Sequence, residues 1–366
     1  LHPKTKFDSL TVVNWQETIL VRPAHGGNLS WAAGLVGCSP DAILDFSASI
    51  NPLGTPRSAM DAIQAHLPLL RDYPDPNYQR VRSMLAQIHQ LSPDWILPGN
   101  GSAELLTWAC WDLAELAQTV LLTPAFGDYF RALKAFGAEI ECCPVEQSEF
   151  QHSAGLLLNN PHNPTGKLFD RAWILEQLNR FELVVVDEAF MDFLPPDREQ
   201  SLISEVQNYP NLVILRSLTK FYALPGLRFG YAIAHPERIK TWQQRRDPWS
   251  VNTLAAAAAE AVLQDDEFQK QTFDWLNAAR PQLFEGLNAI PGLSPLPGVA
   301  NYYLVKSERS GSQLQKQLLE HDKILIRDCL SFPELGDRYF RVAVRLPSEN
   351  QRLIDGLTSC LLNMIS

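Results

Sequence analysis

The residue with the most chemistry to offer is Lys220. It follows directly on an apolar run, stands beside the hydroxyls of Ser217 and Thr219, and precedes Arg228 by a short loop. A lysine amine can attack a carbonyl near neutral pH only if burial leaves part of it unprotonated. Ser217, Thr219 and Arg228 carry the hydroxyl donors and positive charge that a phosphate needs. A loop lysine paired with a surface carboxylate would explain this segment alone equally well.

Three further segments share that ambiguity. Val184, Val185 and Val186 lead into Asp187 and Glu188, so a β-branched run ends on acid. Such an acid can cap a helix or sit in a structural ion pair. At the carboxyl edge of a sheet it can also keep a pyridine nitrogen protonated, so that the ring accepts electrons released at a substrate's Cα. Asn163 opens an N-P-T-G run, which is ordinary turn chemistry or an amide held rigidly against a phenolate oxygen. Gly101 and Ser102 open a helical stretch, either as a phosphate cradle or as a plain N-cap.

These side chains need a scaffold to bring them together. Apolar runs at Thr119–Thr123, Leu156–Asn159, Leu183–Asp187, Leu212–Leu215 and Phe229–Ala234 predict strands. The amphipathic stretches Ala103–Leu116 and Arg171–Phe181 between them predict helices. Continuous apolar strands alternating with helices imply a mostly parallel sheet buried on both faces. This is an α/β domain, with its ligand beyond the carboxyl ends of the strands.

Past residue 250 the pattern changes. Long helices are expected at Ala255–Leu263 and Gln264–Ala289, followed by a break at Pro291–Pro297. Strands follow at Asn301–Lys306, Ile324–Arg327 and Tyr339–Val344, with helices at Ser312–His321 and Glu349–Met364. The expected organisation is a large α/β domain over residues 51–250 and a small α+β domain over 251–366. Residues 1–50 would pack with the small domain.

Composition narrows the function classes. The formal charge is 31 − 41 = −10, which disfavours nonspecific binding to nucleic acid or anionic lipid. No apolar run is long enough to span a bilayer, and the first residues lack the character of a signal peptide. The six cysteines form no C-x-x-C pair and read as reduced thiols of a cytoplasmic protein. No His/Asp/Glu cluster has metal-ligand spacing.

Taken together and in this order, the Gly-Ser helix start, N-P-T-G, D-E-A, and S-x-T-K with its downstream arginine resemble fold type I pyridoxal-phosphate enzymes, the aspartate-aminotransferase-like transferases. The likeness runs from His25 to the final helix. It implies pyridoxal 5′-phosphate bound covalently to Lys220, with Asp187 paired to the pyridinium nitrogen and Asn163 against the ring hydroxyl. Gly101, Ser102, Ser217, Thr219 and Arg228 would surround the cofactor phosphate, and Phe126 would stack on the ring. Tyr73 matches a tyrosine that reaches the phosphate of a neighbouring subunit, which implies a homodimer. Arg341 matches the arginine that clamps a substrate α-carboxylate, a task suited to a planar bidentate donor. Phe126 as a core aromatic and Arg341 in a surface ion pair remain open readings.

One position departs from the family pattern. Phe190 stands where many relatives carry a tyrosine that also donates to the ring hydroxyl, which argues against a standard aspartate or histidinol-phosphate aminotransferase.

Within the family, four segments resemble the branch of threonine-phosphate decarboxylases serving cobalamin biosynthesis. They are H-G-G-N from His25 to Asn28, the stretch Asp45–Gly54, the I-R-D-C run Ile326–Cys329, and Arg341 through Arg345. The resemblance implies decarboxylation of L-threonine O-3-phosphate to (R)-1-amino-2-propanol O-phosphate and carbon dioxide. Histidinol-phosphate aminotransferase is the competing reading, and a noncatalytic binding relative a more distant one. A phosphorylated amino acid needs anion-binding groups of its own, for which His25, Asn28 and Arg327 are the candidates, with Asn163 and Arg341 beside them.

Overall fold

The computed structural model describes residue 23, residues 25–147, residue 150 and residues 154–363. The expectations for residues 1–22, and for Met364 at the end of the last helix, lie outside the described residues.

A seven-stranded sheet forms the centre of the molecule. Its order is Ile96–Asn100, Phe229–Ile233, Leu212–Ser217, Leu183–Asp187, Gly155–Asn159, Thr119–Thr123 and Ile140–Pro144. Phe229–Ile233 runs antiparallel to both of its neighbours, and the remaining pairings are parallel. Strand alternation divides the side chains between two cores. Val120, Leu156, Val184 and Ile214 pack into one, while Leu121, Leu157, Val185 and Leu215 pack into the other. A sheet covered on both faces requires the uninterrupted apolar runs seen in the sequence.

Two strands of this sheet carried no clear signal in the sequence. Ile96–Asn100 contains a proline and a glycine, and Ile140–Pro144 is an edge strand with two cysteines. Both compositions read poorly as strands. The expected helices appear as Ser102–Ala114, Arg171–Leu178, Thr253–Val262 and Asp266–Asn288.

A four-stranded antiparallel sheet follows in the order Arg327–Asp328, Tyr339–Ala343, Tyr302–Ser307 and Leu293–Pro295. The single strand expected over Ile324–Arg327 is broken in the structure. Ile324–Leu325 pairs in parallel with Leu44–Asp45, whereas Arg327–Asp328 pairs with Tyr339–Ala343. The carbonyl of Ile326, at the break, accepts from the Gln315 side-chain amide at 2.8 Å. The chain therefore turns between two partners, and the turn places Arg327 directly opposite Arg341.

Candidate active site

Asn159, Asp187 and Ser217 are the last residues of three adjacent parallel strands. A cavity of about 370 Å³ lies at these ends. Lys220, Asp187, Asn163, Ser102, Phe126, Ser217, Thr219, Arg228, Arg341, Arg327 and His25 all line it. The sheet thus gathers residues far apart in sequence, as α/β sheets do at their carboxyl edge.

Lys220 follows the strand Leu212–Ser217 after one turn, and its carbonyl accepts from the Asn51 backbone N–H at 3.0 Å. Burial, followed by the nearby positive charges of Arg341 and Arg228, lowers the amine pKa to about 8. A nucleophilic lysine needs that shift. Asp187 is held by two donors: the Tyr129 hydroxyl reaches Oδ2 at 2.8 Å, and the Ala189 backbone N–H reaches Oδ1 at 3.0 Å. Burial raises the pKa of this carboxyl, and the Tyr129 hydrogen bond opposes the rise.

The end of the cavity at Arg228 is built around Gly101. Gly101 has φ +74°, and a Cβ there would lie 2.5 Å from Nη2 of Arg228. Glycine therefore lets the guanidinium rest against the start of the helix Ser102–Ala114, whose N-terminal end favours an anion. Gly101 itself lies beneath Arg228 rather than among the cavity-lining residues. Arg228 holds φ +60° without being glycine, a strain that structures keep where geometry matters. The Ser217 hydroxyl accepts from the Thr219 backbone N–H at 3.3 Å. A guanidinium, two seryl hydroxyls, a threonyl hydroxyl and a helix start fit a phosphate monoester.

Asn163 and Arg341 form a pair. One guanidinium nitrogen of Arg341 donates to Asn163 Oδ1, and the other reaches the Ser47 carbonyl at 3.2 Å. The Arg341 guanidinium also stands 4.9 Å from the centre of the Tyr302 ring. The loop carrying Asn163 is fixed by Asn160, whose side chain bonds the Phe169 backbone in both directions, and by the Tyr302 hydroxyl on the His162 carbonyl. With its oxygen engaged, the Asn163 amide has N–H groups to offer the cavity.

Arg327 donates to Ser331 Oγ at 2.6 Å and to the Pro23 carbonyl at 3.2 Å. Opposed on neighbouring strands, Arg327 and Arg341 both line the cavity, and burial, with the field of Arg327 adding to it, lowers the Arg341 pKa. Two like charges so placed disfavour each other, which suits a site that receives anions.

Other expected residues fall differently. His25 stands at the cavity wall, its ring 5.3 Å from Phe126, and burial lowers its pKa. Asn28 does not line the main cavity. Its side-chain oxygen accepts from the Trp31 backbone N–H at 3.0 Å and caps the helix Leu29–Val36, so asparagine serves there in its common N-cap role. Asn28 borders a smaller adjoining recess together with His25 and Arg327. Tyr73 lies outside the cavity, 80% exposed, with its ring stacked 4.5 Å from Trp249. Phe190 lines the cavity and meets Tyr302 edge to face.

Sequence reasoning missed Tyr129 and Ser47. Tyr129 lies three residues past Phe126 at the start of the helix Gly127–Ala135, a spacing that puts both on one face. Ser47 lies two residues past Asp45, to which its hydroxyl donates at 2.6 Å while accepting from the Gly27 N–H at 2.8 Å. Among the described residues no group of three or more His, Cys, Asp or Glu side chains could hold a metal ion.

Comparison with known proteins agrees with this geometry. Residues 41–357 match the family described as aminotransferase class I and II. The chain is 39% identical over 359 residues to the threonine-phosphate decarboxylase of Salmonella typhimurium, covering 93% of this chain and 98% of that protein. Among solved structures, the histidinol-phosphate aminotransferase of Clostridium acetobutylicum superposes with a TM-score of 0.82 at 29% identity, covering 88% of this chain and 100% of that one. The L-threonine-O-3-phosphate decarboxylase of Porphyromonas gingivalis gives a TM-score of 0.81 at 26% identity, covering 87% of this chain and 100% of that one. A family match over most of the chain and 39% identity across nearly the full length of a relative lead to one conclusion: the chain belongs to the class I and II aminotransferase family.

Proposed function

We propose that this protein is a pyridoxal-phosphate-dependent decarboxylase of L-threonine O-3-phosphate, releasing carbon dioxide and (R)-1-amino-2-propanol O-phosphate in cobalamin biosynthesis. The observation that carries the proposal is the cross-strand pair Arg327 and Arg341 in one cavity with Lys220. It offers a substrate two anion sites besides the one built on Arg228. The 39% identity to a threonine-phosphate decarboxylase supports the same choice.

Bound at this site, pyridoxal phosphate supplies an electron sink for the bond broken at the substrate's Cα. Lys220 is the covalent anchor, and Asp187 holds the proton of the ring nitrogen. Asn163 would donate to the ring hydroxyl and Phe126 would lie against the ring, since both line the cavity. Ser102, Ser217, Thr219 and Arg228 hold the phosphate, over the turn that Gly101 permits. Arg341 takes the substrate carboxylate and sets its direction, which selects the bond that breaks. Arg327 and His25 receive the substrate phosphate. Lys220, with its pKa near 8, can return a proton to Cα after carbon dioxide leaves.

Three broader features belong to the same proposal. Residues 51–250 form the cofactor-binding domain and the segment from 251 onward the small domain, a division supported by the pairing of Leu44–Asp45 with Ile324–Leu325. The protein works as a homodimer in which Tyr73 reaches the partner's cofactor phosphate, supported by its exposure on this chain. Its place is the cytoplasm. Six free cysteines suit a reducing compartment, and no helix among the described residues is long and apolar enough to cross a membrane.

The test is an assay of the cofactor-loaded protein with L-threonine O-3-phosphate and no keto acid. Release of carbon dioxide with stoichiometric amine phosphate is expected. Glutamate formed from 2-oxoglutarate when histidinol phosphate is supplied, with no carbon dioxide from threonine phosphate, would overturn the proposal in favour of an aminotransferase.

A further inference from the structure

Asp187 owes its setting to a residue outside the expected set. Tyr129 is 2% exposed, and its hydroxyl donates to Asp187 Oδ2 at 2.8 Å. Its ring meets Phe126 edge to face at 5.6 Å and 87°. Phe126 caps the helix Gly127–Ala135 and Tyr129 lies in its first turn. One short element therefore carries both the aromatic wall of the cavity and the donor to the acid.

The direction of this hydrogen bond is fixed. Burial and the neighbouring Asp187 push the phenol pKa well above its ordinary value, so Tyr129 keeps its proton. Left to burial alone, Asp187 would favour its neutral form, and the Tyr129 bond counters that. Asp128 and Lys220 are the other charged groups acting on Asp187, and their effects oppose each other. A neutral carboxyl cannot pair with a pyridinium.

We propose that Tyr129 is a positioning residue that keeps Asp187 ionised and aimed, and so sets how fully the cofactor's ring nitrogen is protonated. This rests on the cofactor assignment above and deepens it. Tyr129 touches the acid rather than the substrate, and its effect is read at the nitrogen rather than at the substrate site.

The experiment uses holoenzyme loaded with pyridoxal phosphate labelled with ¹⁵N in the ring, observed by nitrogen NMR. The parent protein should show a protonated nitrogen. Tyr129→Phe should move the signal toward the unprotonated range and weaken cofactor binding about tenfold, the loss expected for one hydrogen bond to a charged group. Tyr129→His, which retains a ring N–H, should lie nearer the parent than Tyr129→Phe does. Protonation equal to the parent in both variants overturns the role of Tyr129 and leaves the cofactor assignment standing. An unprotonated nitrogen in the parent protein overturns the Asp187 assignment itself. Should Tyr129→Phe fail to fold, Tyr129→Leu, which also lacks a donor, takes its place, and a nitrogen as protonated there as in the parent overturns the proposal.

Discussion

Lys220 sits where positive neighbours and burial both favour the free amine. Its pKa near 8 gives a specific pH dependence. Below that value the amine is mostly protonated, so the rate of covalent cofactor attachment to the apoprotein should fall about tenfold per pH unit and level off above it. Stopped-flow absorbance across pH 6 to pH 10 measures this, and a rate still rising tenfold per unit up to pH 10, as an ordinary lysine would give, would remove the assignment of Lys220 as a depressed amine. Lys220→Ala should abolish both the cofactor's bound absorbance and turnover. Arg327→Ala tests the substrate end separately. Removing a charged partner of a phosphate costs ~2 kcal/mol, which corresponds to KM rising about thirtyfold. Cofactor affinity should stay unchanged, because Arg228 rather than Arg327 is the residue proposed for the cofactor phosphate.

The elements that set these residues were legible to different degrees. The strand Leu183–Asp187 was plain because three valines sit buried on a sheet covered on both faces. Its terminal acid followed at once. The bend at Ile326 was not legible, because an apolar run reads as one strand whether or not it changes partner. The capping role of Asn28 was not legible, because a helix cap and a phosphate contact use the same residue type. Behind the site, Arg216 is almost fully buried and pairs with both Glu188 and Asp192, tying the strands Leu183–Asp187 and Leu212–Ser217 together beneath Asp187 and Ser217. Replacing it by methionine leaves the buried Glu188 and the partly buried Asp192 without their counter-ion and should destabilise the fold by about 3 kcal/mol in denaturant titration. Gly101→Ala should fold yet bind cofactor at least tenfold more weakly, since the new Cβ would displace Arg228. Equilibrium dialysis with pyridoxal phosphate reads that loss.

At the scale of the whole molecule, the seven-stranded sheet positions the residues proposed to hold the cofactor, and the four-stranded sheet supplies Arg327 and Arg341. The cavity lies between these contributions. Residues near 25 and 47 complete it through Ser47, whose hydroxyl engages both Asp45 and the Gly27 N–H. Fold class and most of the residues gathered around Lys220 were legible because each rests on a short local motif. The joining of His25, Ser47 and Arg341 was less so, since it depends on contacts across almost the full chain. The exposed, stacked pair Tyr73 and Trp249 belongs to this scale as well. Sedimentation analysis is expected to show a dimer, and Tyr73→Ala should lower cofactor affinity without dissociating it.

The most direct test follows the fate of the bonds at Cα. The reaction is run in deuterium oxide with L-threonine O-3-phosphate carrying ¹³C in its carboxyl group. Labelled carbon dioxide should appear, and the amine product should keep its original Cα hydrogen and gain one deuterium from solvent. Loss of the Cα hydrogen with the labelled carboxyl retained in a keto acid would contradict the account and make this protein an aminotransferase.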